Sequence, residues 1–350
     1  MESVLIEPIS QAIFPVSESS HVAAARRGAA DIARKLQFDD MLTGRVSLVV
    51  TEAATNILKH ADHGSILIRD VSTRDMTGIE IVAIDNGPGI ANLQASLRDG
   101  VSTAQTQGSG LGAMRRLSHS FDAYTLPGKG SAFCMTIRNG VQNAANGVQN
   151  AANLGAFLLG AVCLPIASET VCGDAWHMQA GVGAASLMVA DGLGHGPDAR
   201  IASQAAVDVL KREGVMSPVR AMELAHTALR NTRGAAAAAM QIDLTQQNMR
   251  FVGVGNIAAS IQTADGRRQM MSHNGIVGNN VRKLQEFSFP WEREALLIVH
   301  SDGLGSHWDL RTYPGLEYRH PSLIAAVLYR DHARGRDDVT IIVVKNSPSA

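Results

Sequence analysis

The amino-acid sequence predicts an α+β protein with two domains, and three observations support this prediction. The chain has 350 residues, enough for two separate hydrophobic cores. Helix-periodic segments are prominent before a short repeat near residue 145, whereas strand-like segments dominate after it. With 45% hydrophobic and 18% charged residues, the composition is typical of a folded chain rather than a disordered one.

The segments before the repeat predict helices on one face of a mixed sheet. Apolar residues recur every three or four positions in the helical segments and are alternating or continuous in the strands. The predicted elements are helices over 21–36, 44–60 and 108–117, and strands over 65–70, 78–84 and 131–137. This order is typical of a two-layer α/β sandwich.

The segments after the repeat predict strands with two helices between them. The predicted strands cover 184–190, 249–254, 258–263, 295–300 and 339–344, and the helices cover 199–212 and 218–231. Helix propensity favours a helix for the five alanines at 235–239, but they precede the strand-like 240–242 and are predicted as a buried strand. The apolar stretch 154–166 is too short for a membrane span and is interpreted as a buried strand pair.

A tandem duplication separates the two halves. Residues 139–145 read NGVQNAA, and residues 146–152 repeat them without change. Asn and Gly oppose helix formation, so 139–153 is predicted to be a polar linker, with a short helix as the alternative. The predicted domains are therefore 1–138 and 154–350.

Charge and terminal sequence exclude several classes of function. The formal net charge is −1, so nucleic-acid binding is not expected. The N-terminus has no basic flank followed by an apolar core, which predicts a cytoplasmic protein without membrane insertion. The three cysteines match neither zinc-site nor disulfide spacing and are predicted to be reduced thiols.

Three separated motifs in the first domain predict a nucleotide site. Glu52 and Asn56 are four residues apart and share one helix face, where Asn56 can ligate Mg²⁺ and Glu52 can act as a base. Asp85 ends an apolar strand and can accept a hydrogen bond from the adenine amine. Five glycines would let the backbone approach the ring and the phosphates: Gly87, Gly89, Gly108, Gly110 and Gly112.

The order and spacing of these motifs resemble the Bergerat-type (GHKL, HATPase) ATPases. The loop DNGPGI and the run GLGAMRRLSHSFD resemble more closely the RsbT-like serine kinases of bacterial partner switching. The resemblance covers about residues 10–138. It implies a Bergerat-type α/β sandwich that binds ATP and Mg²⁺, with Glu52 as a catalytic residue.

Aspartates beside strands in the second domain predict a divalent metal site. An all-oxygen set of this kind can hold two cations that share a hydroxide and bind a phosphoryl oxygen. The four candidates are Asp174, Asp191, Asp302 and Asp337. Asp338 adjoins the last of them, and the sequence does not decide which of the two binds metal. His195 is either a general acid or a residue that shapes its glycine-rich loop.

These motifs, GD, ADGxGHG, SDG and DDVT, resemble the SpoIIE-type (RsbX-like) branch of the PPM serine/threonine phosphatases. The resemblance covers about residues 155–345 and implies a PPM-type β-sandwich flanked by helices. It also implies two Mn²⁺ or Mg²⁺ ions, the Gly192 carbonyl as a further ligand, and Asp191 as the central catalytic aspartate.

Together the two resemblances imply a bifunctional signalling protein. A kinase and a phosphatase would act in opposite directions on serine or threonine of a small STAS-domain protein. In the alternative, the first domain is a non-catalytic ATP-binding module that sequesters a sigma factor or a STAS protein, and the phosphatase is the enzyme. The presence of both Glu52 and Asn56 favours a kinase, because a pure binding module needs no base.

Overall fold

The computed structural model describes residues 11–73, 76–97, 110–139, 153–154, 156–263, 265–281 and 283–347. The chain forms two compact units: Met1–Ala152 with Leu310–Arg330, and Asn153–Asp309 with Asp331–Ala350. Apart from Asn139 and Asn153–Leu154, the predicted linker lies outside the described residues. The sequence-based domain boundaries remain a prediction, and they give no hint that Leu310–Arg330 belongs to the first unit.

The first unit has a layer of helices on a five-stranded sheet. Its strands are β1 (Ala12–Val16), β2 (Gly64–Asp70), β3 (Thr77–Asp85), β4 (Ser120–Thr125) and β5 (Ser131–Asn139), and its helices are α1 (Ser19–Lys35), α2 (Asp40–His60), α3 (Leu93–Ser96) and α4 (Gly110–Leu117). The strand order is β1-β2-β3-β5-β4. All its strand pairs are antiparallel, so the prediction of a mixed sheet was wrong.

Helix α2 carries two of the predicted nucleotide residues and is anchored at both its start and its inner face. Asp39 caps it by accepting a hydrogen bond from Leu42 N at 2.7 Å. Its apolar stripe is fully buried and packs against the sheet: Val46, Val49, Val50, Ala53, Ala54 and Ile57. This orientation fixes the direction in which Glu52 and Asn56 project.

The second unit is a two-sheet sandwich. Its strands are β6 (Asn153–Leu154), β7 (Phe157–Leu164), β8 (Asp174–Ala180), β9 (Ala184–Gly192), β10 (Ala235–Asp243), β11 (Asn248–Val254), β12 (Ala258–Thr263), β13 (Gly266–Met270), β14 (Phe287–Pro290), β15 (Leu296–His300) and β16 (Val339–Asn346). The sheet orders are β14-β11-β10-β9-β8 and β13-β12-β15-β16-β7-β6. One apolar core lies between the sheets. The α+β prediction is confirmed.

Helices α5 (Pro197–Glu213) and α6 (Pro218–Ala228) pack on the outer face of the first of these sheets. The alanine run at 235–239 lies beneath them as the start of β10, so the strand prediction is confirmed against helix propensity. Alternate alanines face opposite cores: Ala237 contacts the helix layer, and Ala238 faces the second sheet. Small side chains suit this position because both faces of the strand are covered.

The seventh helix, α7 (Pro321–His332), has no counterpart among the predicted elements. Its residues from Pro321 to Leu328 are all buried. Because no polar stripe interrupts this run, a helical period is hard to recognise in the sequence. No helix in the part of the chain that the structure describes is long and apolar enough to cross a membrane.

Candidate functional sites

Helices α2 and α4 bring three predicted nucleotide residues together. A Cβ added to Gly110 would lie 3.1 Å from Glu52 Oε2 and 3.2 Å from Asn56 Oδ1. The glycine therefore lets the start of α4 approach both side chains. Asn56 Nδ2 is buried and has no hydrogen-bond partner within the described residues. Because an unpaired buried amide is costly, it marks a position where a polar ligand group fits.

Asp85 is the last residue of β3, at the strand end predicted for it. Its Oδ1 accepts hydrogen bonds from Gly87 N at 2.9 Å and Ser131 N at 3.2 Å. Burial raises the pKa of Asp85, although these two amides and the nearby Arg330 act in the opposite direction. The carboxyl group is thus held rigidly by backbone on one oxygen.

The glycines after Asp85 allow close backbone packing. A Cβ on Gly87 would lie 2.8 Å from His60 O, and Gly89 has a φ of +73° with Leu126 O 2.5 Å from the same added atom. Gly112 is buried on α4. Gly108 lies outside the described residues.

A polar cavity of about 430 Å³ adjoins this loop. Gly87 is part of its lining, whereas Asp85 and Asn56 are not, so it borders the predicted nucleotide site rather than coinciding with it. Lys59 and His60 also line the cavity, and sequence analysis missed both. The available signal was a cation three residues after Asn56 at the end of a helix.

The predicted metal residues lie on or beside two strand pairs of the second unit, β8–β9 and β15–β16. Asp174 and Asp191 are directly opposite in the β8–β9 ladder. Asp174 is the first residue of β8. Asp302 follows β15, and Asp337 precedes β16.

The electrostatics of this carboxylate cluster indicate a place for cations. Burial, followed by the charges of Asp174, Asp302 and Asp337, raises the pKa of Asp191 to about 9. Burial likewise raises the pKa of Asp174 to about 7. Asp174 Oδ1 and Asp302 Oδ1 are buried without a hydrogen-bond partner in the described chain. Oxygen donors in such surroundings fit a hard divalent ion, which would satisfy and neutralise them.

Asp337 and Asp338 differ in their bonding. Asp338 Oδ1 accepts from Ile166 N at 2.8 Å, and Oδ2 accepts from Gly173 N at 2.7 Å. Both oxygens of Asp338 thus bind backbone amides, and the residue is 3% exposed. Asp337 is exposed, and its Oδ1 accepts from Asp338 N at 2.9 Å. This difference favours Asp337 as the metal ligand. It indicates that Asp338 instead holds the backbone at Ile166 and Gly173 in place.

Further side chains hold the aspartates in place, and the sequence analysis assigned them no role. Ser301 Oγ donates to Asp174 Oδ2 at 2.7 Å and accepts from Thr340 N at 2.9 Å. Asn256 Nδ2 donates to Asp302 Oδ2 at 2.8 Å. These bonds leave the remaining oxygen of each aspartate open to another partner.

The loop after Asp191 is shaped by its glycines. A Cβ on Gly192 would lie 2.0 Å from Ala199 O, so no larger residue fits. His195 is exposed, and its Nδ1 lies 2.7 Å from Glu169 Oε1. This pairing with a carboxylate is compatible with either of the two roles considered for His195.

Comparison with known families gives a match for each half of the chain. Residues 15–137 match the family "Histidine kinase-like ATPase domain", and residues 181–347 match "Stage II sporulation protein E (SpoIIE)". Serine/threonine-protein kinase RsbT of Bacillus subtilis (strain 168) is 34% identical over 110 residues, which cover 31% of this chain and 83% of RsbT. Phosphoserine phosphatase RsbX of the same organism is 27% identical over 137 residues, which cover 39% of this chain and 69% of RsbX.

Solved structures resemble just over half of this chain. A structure described as "The bacterial stressosome: a modular system that has been adapted to control secondary messenger signaling" is 29% identical, covers 54% of this chain and 99% of its own, and has a TM-score of 0.51. RsbX in complex with magnesium is 25% identical, covers 55% and 96%, and has a TM-score of 0.50. The chain is therefore a fusion, whose first part belongs to the RsbT family of histidine kinase-like ATPase domains and whose second part is a serine/threonine phosphatase of the SpoIIE type.

Proposed function

We propose that the protein is a bifunctional partner-switching enzyme that phosphorylates and dephosphorylates the same STAS-domain protein. The carboxylate cluster of the second unit carries this proposal, because its raised pKa values and unpaired oxygens fit a phosphatase metal centre. The printed activities of the two curated relatives, a serine/threonine-protein kinase and a phosphoserine phosphatase, support opposite activities on one class of substrate.

In the phosphatase site, four aspartates and the Gly192 carbonyl would hold two Mn²⁺ or Mg²⁺ ions: Asp174, Asp191, Asp302 and Asp337. When bound, such ions supply a hydroxide nucleophile at neutral pH and neutralise the phosphoryl oxygens. Asp191 lies directly opposite Asp174 in the β8–β9 ladder, and the charges of Asp302 and Asp337 also raise its pKa. Both observations support a central position for Asp191 in this metal centre. Ser301 and Asn256 each donate a hydrogen bond to one oxygen of Asp174 and Asp302, and the other oxygen of each aspartate would be available to a metal ion.

In the kinase site, Asp85 would accept the exocyclic amine of adenine, and the glycines would contact the ring and phosphates. This set comprises Gly87, Gly89, Gly108, Gly110 and Gly112. Asn56 Oδ1 would ligate the Mg²⁺ of Mg-ATP. Glu52 would accept the proton of the substrate hydroxyl as the phosphate is transferred, because its carboxylate lies beside the start of α4 where the phosphates are expected.

The competing proposal makes the first unit a non-catalytic ATP-binding module that sequesters a sigma factor or a STAS protein. Both proposals require ATP binding, and they differ in what Glu52 does. The proximity of Glu52 Oε2 to Gly110 favours the kinase, since a base is placed where a phosphoryl group would lie.

The deciding experiment incubates the full chain with γ-labelled ATP, Mg²⁺ and the STAS protein encoded nearby. In an Asp191→Ala background, which should stop dephosphorylation, we expect label on the STAS protein. Adding Glu52→Ala should remove the label without changing the ATP dissociation constant measured by calorimetry. Binding of ATP with no label transferred would favour sequestration.

The adenine role of Asp85 has a separate test. Asp85→Asn replaces the acceptor by an amide of the same size, so ATP binding should be lost while the melting temperature stays close to that of the wild type. An Asp85→Asn variant with wild-type affinity for ATP would remove Asp85 from this role.

A further inference from the structure

The segment Leu310–Arg330 covers the face of the first unit's sheet that the helices leave open. Residues of β2, β3 and β5 alternate, with Ile68, Ile81 and Met135 in the core under the helices. Their neighbours Arg69 and Glu80 point the other way and are nevertheless buried. Ser322 contacts both of them, so the segment Leu310–Arg330 packs against the second face of the sheet.

A buried ion pair joins the sheet to this segment. Arg69 Nε donates to Glu80 Oε1 at 2.6 Å, and the two side chains are 7% and 1% exposed. Ser322 Oγ donates to Glu80 Oε2 at 2.8 Å, and Arg69 Nη2 donates to Ser322 Oγ at 3.3 Å. Buried charges are tolerated when their remaining polar atoms have hydrogen-bond partners. Here Ser322 provides such a partner for both Glu80 and Arg69.

Possible metal-binding atoms of Glu80, Cys134 and His320 lie within 4.8 Å of one another in the same network. A metal ion is a poor explanation for this grouping. Arg69 already compensates the charge of Glu80. Ser322 N donates to His320 Nδ1 at 3.2 Å, which uses the lone pair of that nitrogen. The network therefore joins the segment to the sheet through polar contacts among Arg69, Glu80, His320 and Ser322, and it is called the polar lock below.

Contacts outside the lock extend along the same segment. Asp122 of β4 accepts hydrogen bonds from His320 N at 2.7 Å and from Arg319 Nη1 at 3.3 Å. Lys129 Nζ lies 5.0 Å from the centre of the Tyr313 ring, within cation–π range. The segment is thus attached at several points of the sheet and the loop beyond it.

Arg330, at the end of the segment, reaches the predicted adenine position. Its Nη1 donates to the carbonyl oxygen of Asp85 at 3.1 Å. That carbonyl is tightly enclosed, since a Cβ on Gly130 would lie 2.0 Å from it. The positive charge of Arg330 also favours the ionised Asp85 carboxylate, which is the form that accepts hydrogen bonds.

We propose that Arg330 is a positioning residue of the nucleotide site and that ATP binding requires the segment Leu310–Arg330. This inference rests on the proposed nucleotide site at Asp85. Arg330 acts through the backbone of Asp85, holding the turn to Gly87 and the carboxylate in the geometry that accepts adenine. Because coupling between two elements is reciprocal, bound ATP should in turn stabilise the segment.

The test uses the full chain and titration calorimetry with Mg-ATP. Arg330→Ala should weaken ATP binding about tenfold, the loss expected for one charge-assisted hydrogen bond. Arg330→Lys keeps a charged donor and should recover most of the affinity. Arg220→Ala on α6 is the matched control, because that exposed arginine lies in the second unit and should leave affinity unchanged.

Hydrogen exchange supplies a readout that a purely structural role would not change. ATP should slow amide exchange in peptides from 310–330 of the wild type, and Arg330→Ala should abolish this slowing. If Arg330→Ala lowers the melting temperature, Arg330→Gln decides, since it keeps most of the side chain and loses the charge. Wild-type affinity in a folded Arg330→Ala or Arg330→Gln variant overturns the inference. Absence of ATP binding by the wild type overturns the proposed nucleotide site with it.

Discussion

Single carboxylates in the second unit raise one another's pKa, so the same residues that fit a metal ion oppose folding without one. Asp191 is the clearest case, since burial and three neighbouring aspartates raise its pKa to about 9. The sequence predicted the members of this cluster from their place beside strands. It could not predict that Asp338 binds two backbone amides, because Ile166 and Gly173 are distant in sequence.

We expect Asp191→Asn to have opposite effects on stability with and without metal. The pKa of Asp191 is higher in the native state than in the unfolded state. Its full contribution to stability is therefore present below the unfolded pKa near 3.8 and is lost as the pH rises toward about 9. In chelator, the wild-type thermal midpoint should therefore fall relative to that of Asp191→Asn between pH 5 and 9. With Mn²⁺ the wild type should gain more stability, and the variant should lose more than about 100-fold in phosphatase activity.

The control for this comparison is Asp265→Asn, which changes an exposed aspartate paired with Arg268. Its midpoint should follow the wild type at every pH, with and without metal. If the curves of wild type and Asp191→Asn run parallel in chelator, the carboxylate cluster does not destabilise the metal-free fold.

The pKa of the buried Glu80 in the first unit is shifted in the opposite direction to that of Asp191. Burial raises the pKa of Glu80, but the charge and hydrogen bond of Arg69, followed by the effects of His320 and Ser322, outweigh burial and hold the pKa below its usual value. Stability from this pair is present above the unfolded pKa near 4.5 and is lost as the pH falls through the lower native value. Glu80→Ala should reduce the free energy of unfolding by about 3–5 kcal/mol at pH 7, because the buried charge of Arg69 would lose the carboxylate that compensates it.

Chemical denaturation followed by circular dichroism measures this loss. Asp31→Ala is the control, since its partner Arg34 and Asp31 are 64% and 63% exposed and such pairs contribute about 0–1 kcal/mol. Equal losses in the two variants would contradict the account of Glu80.

At the scale of helices and strands, the sequence predicted the helices that have one polar face and one apolar face. Helix α2 was recognised from its stripe of buried residues, although the structure begins it at Asp40 instead of residue 44. Helix α7 was missed, because residues Pro321–Leu328 are all buried and show no period. Its contact with Glu80 is long-range, and no local pattern could reveal it.

The alanine run of β10 provides a test of packing against propensity. Ala237 is 0% exposed and packs under the layer of α5 and α6. Ala237→Leu should therefore destabilise the fold by about 1–3 kcal/mol through overpacking. Ala258→Leu, at the half-buried start of β12, is the control and should cost less in the same urea titration. A neutral Ala237→Leu would mean that the helices above β10 can move aside.

At the scale of the whole molecule, the sequence predicted two families correctly because each is defined by residues at element ends, where composition is distinctive. The fusion places a kinase-like ATPase and a phosphatase in one chain, and the proposed common substrate makes their activities oppose each other. A kinase and a phosphatase that act on the same site consume ATP without any net change in the phosphorylation of the substrate. ATP turnover is therefore a direct measure of whether both units act.

We therefore expect wild-type protein with Mg-ATP, Mn²⁺ and a STAS-domain substrate to release ADP continuously, well beyond one equivalent per phosphorylation site. Asp191→Ala blocks dephosphorylation, so ADP release should stop after about one equivalent, with the STAS protein fully phosphorylated. Glu52→Ala should release no ADP above background while still dephosphorylating phosphorylated STAS protein. Mutating the ligand isolates the phosphatase better than a chelator does, because chelation would also remove the Mg²⁺ of Mg-ATP. Unchanged ADP release in Asp191→Ala would show that turnover is simple ATP hydrolysis by the first unit, and the proposed cycle would be wrong.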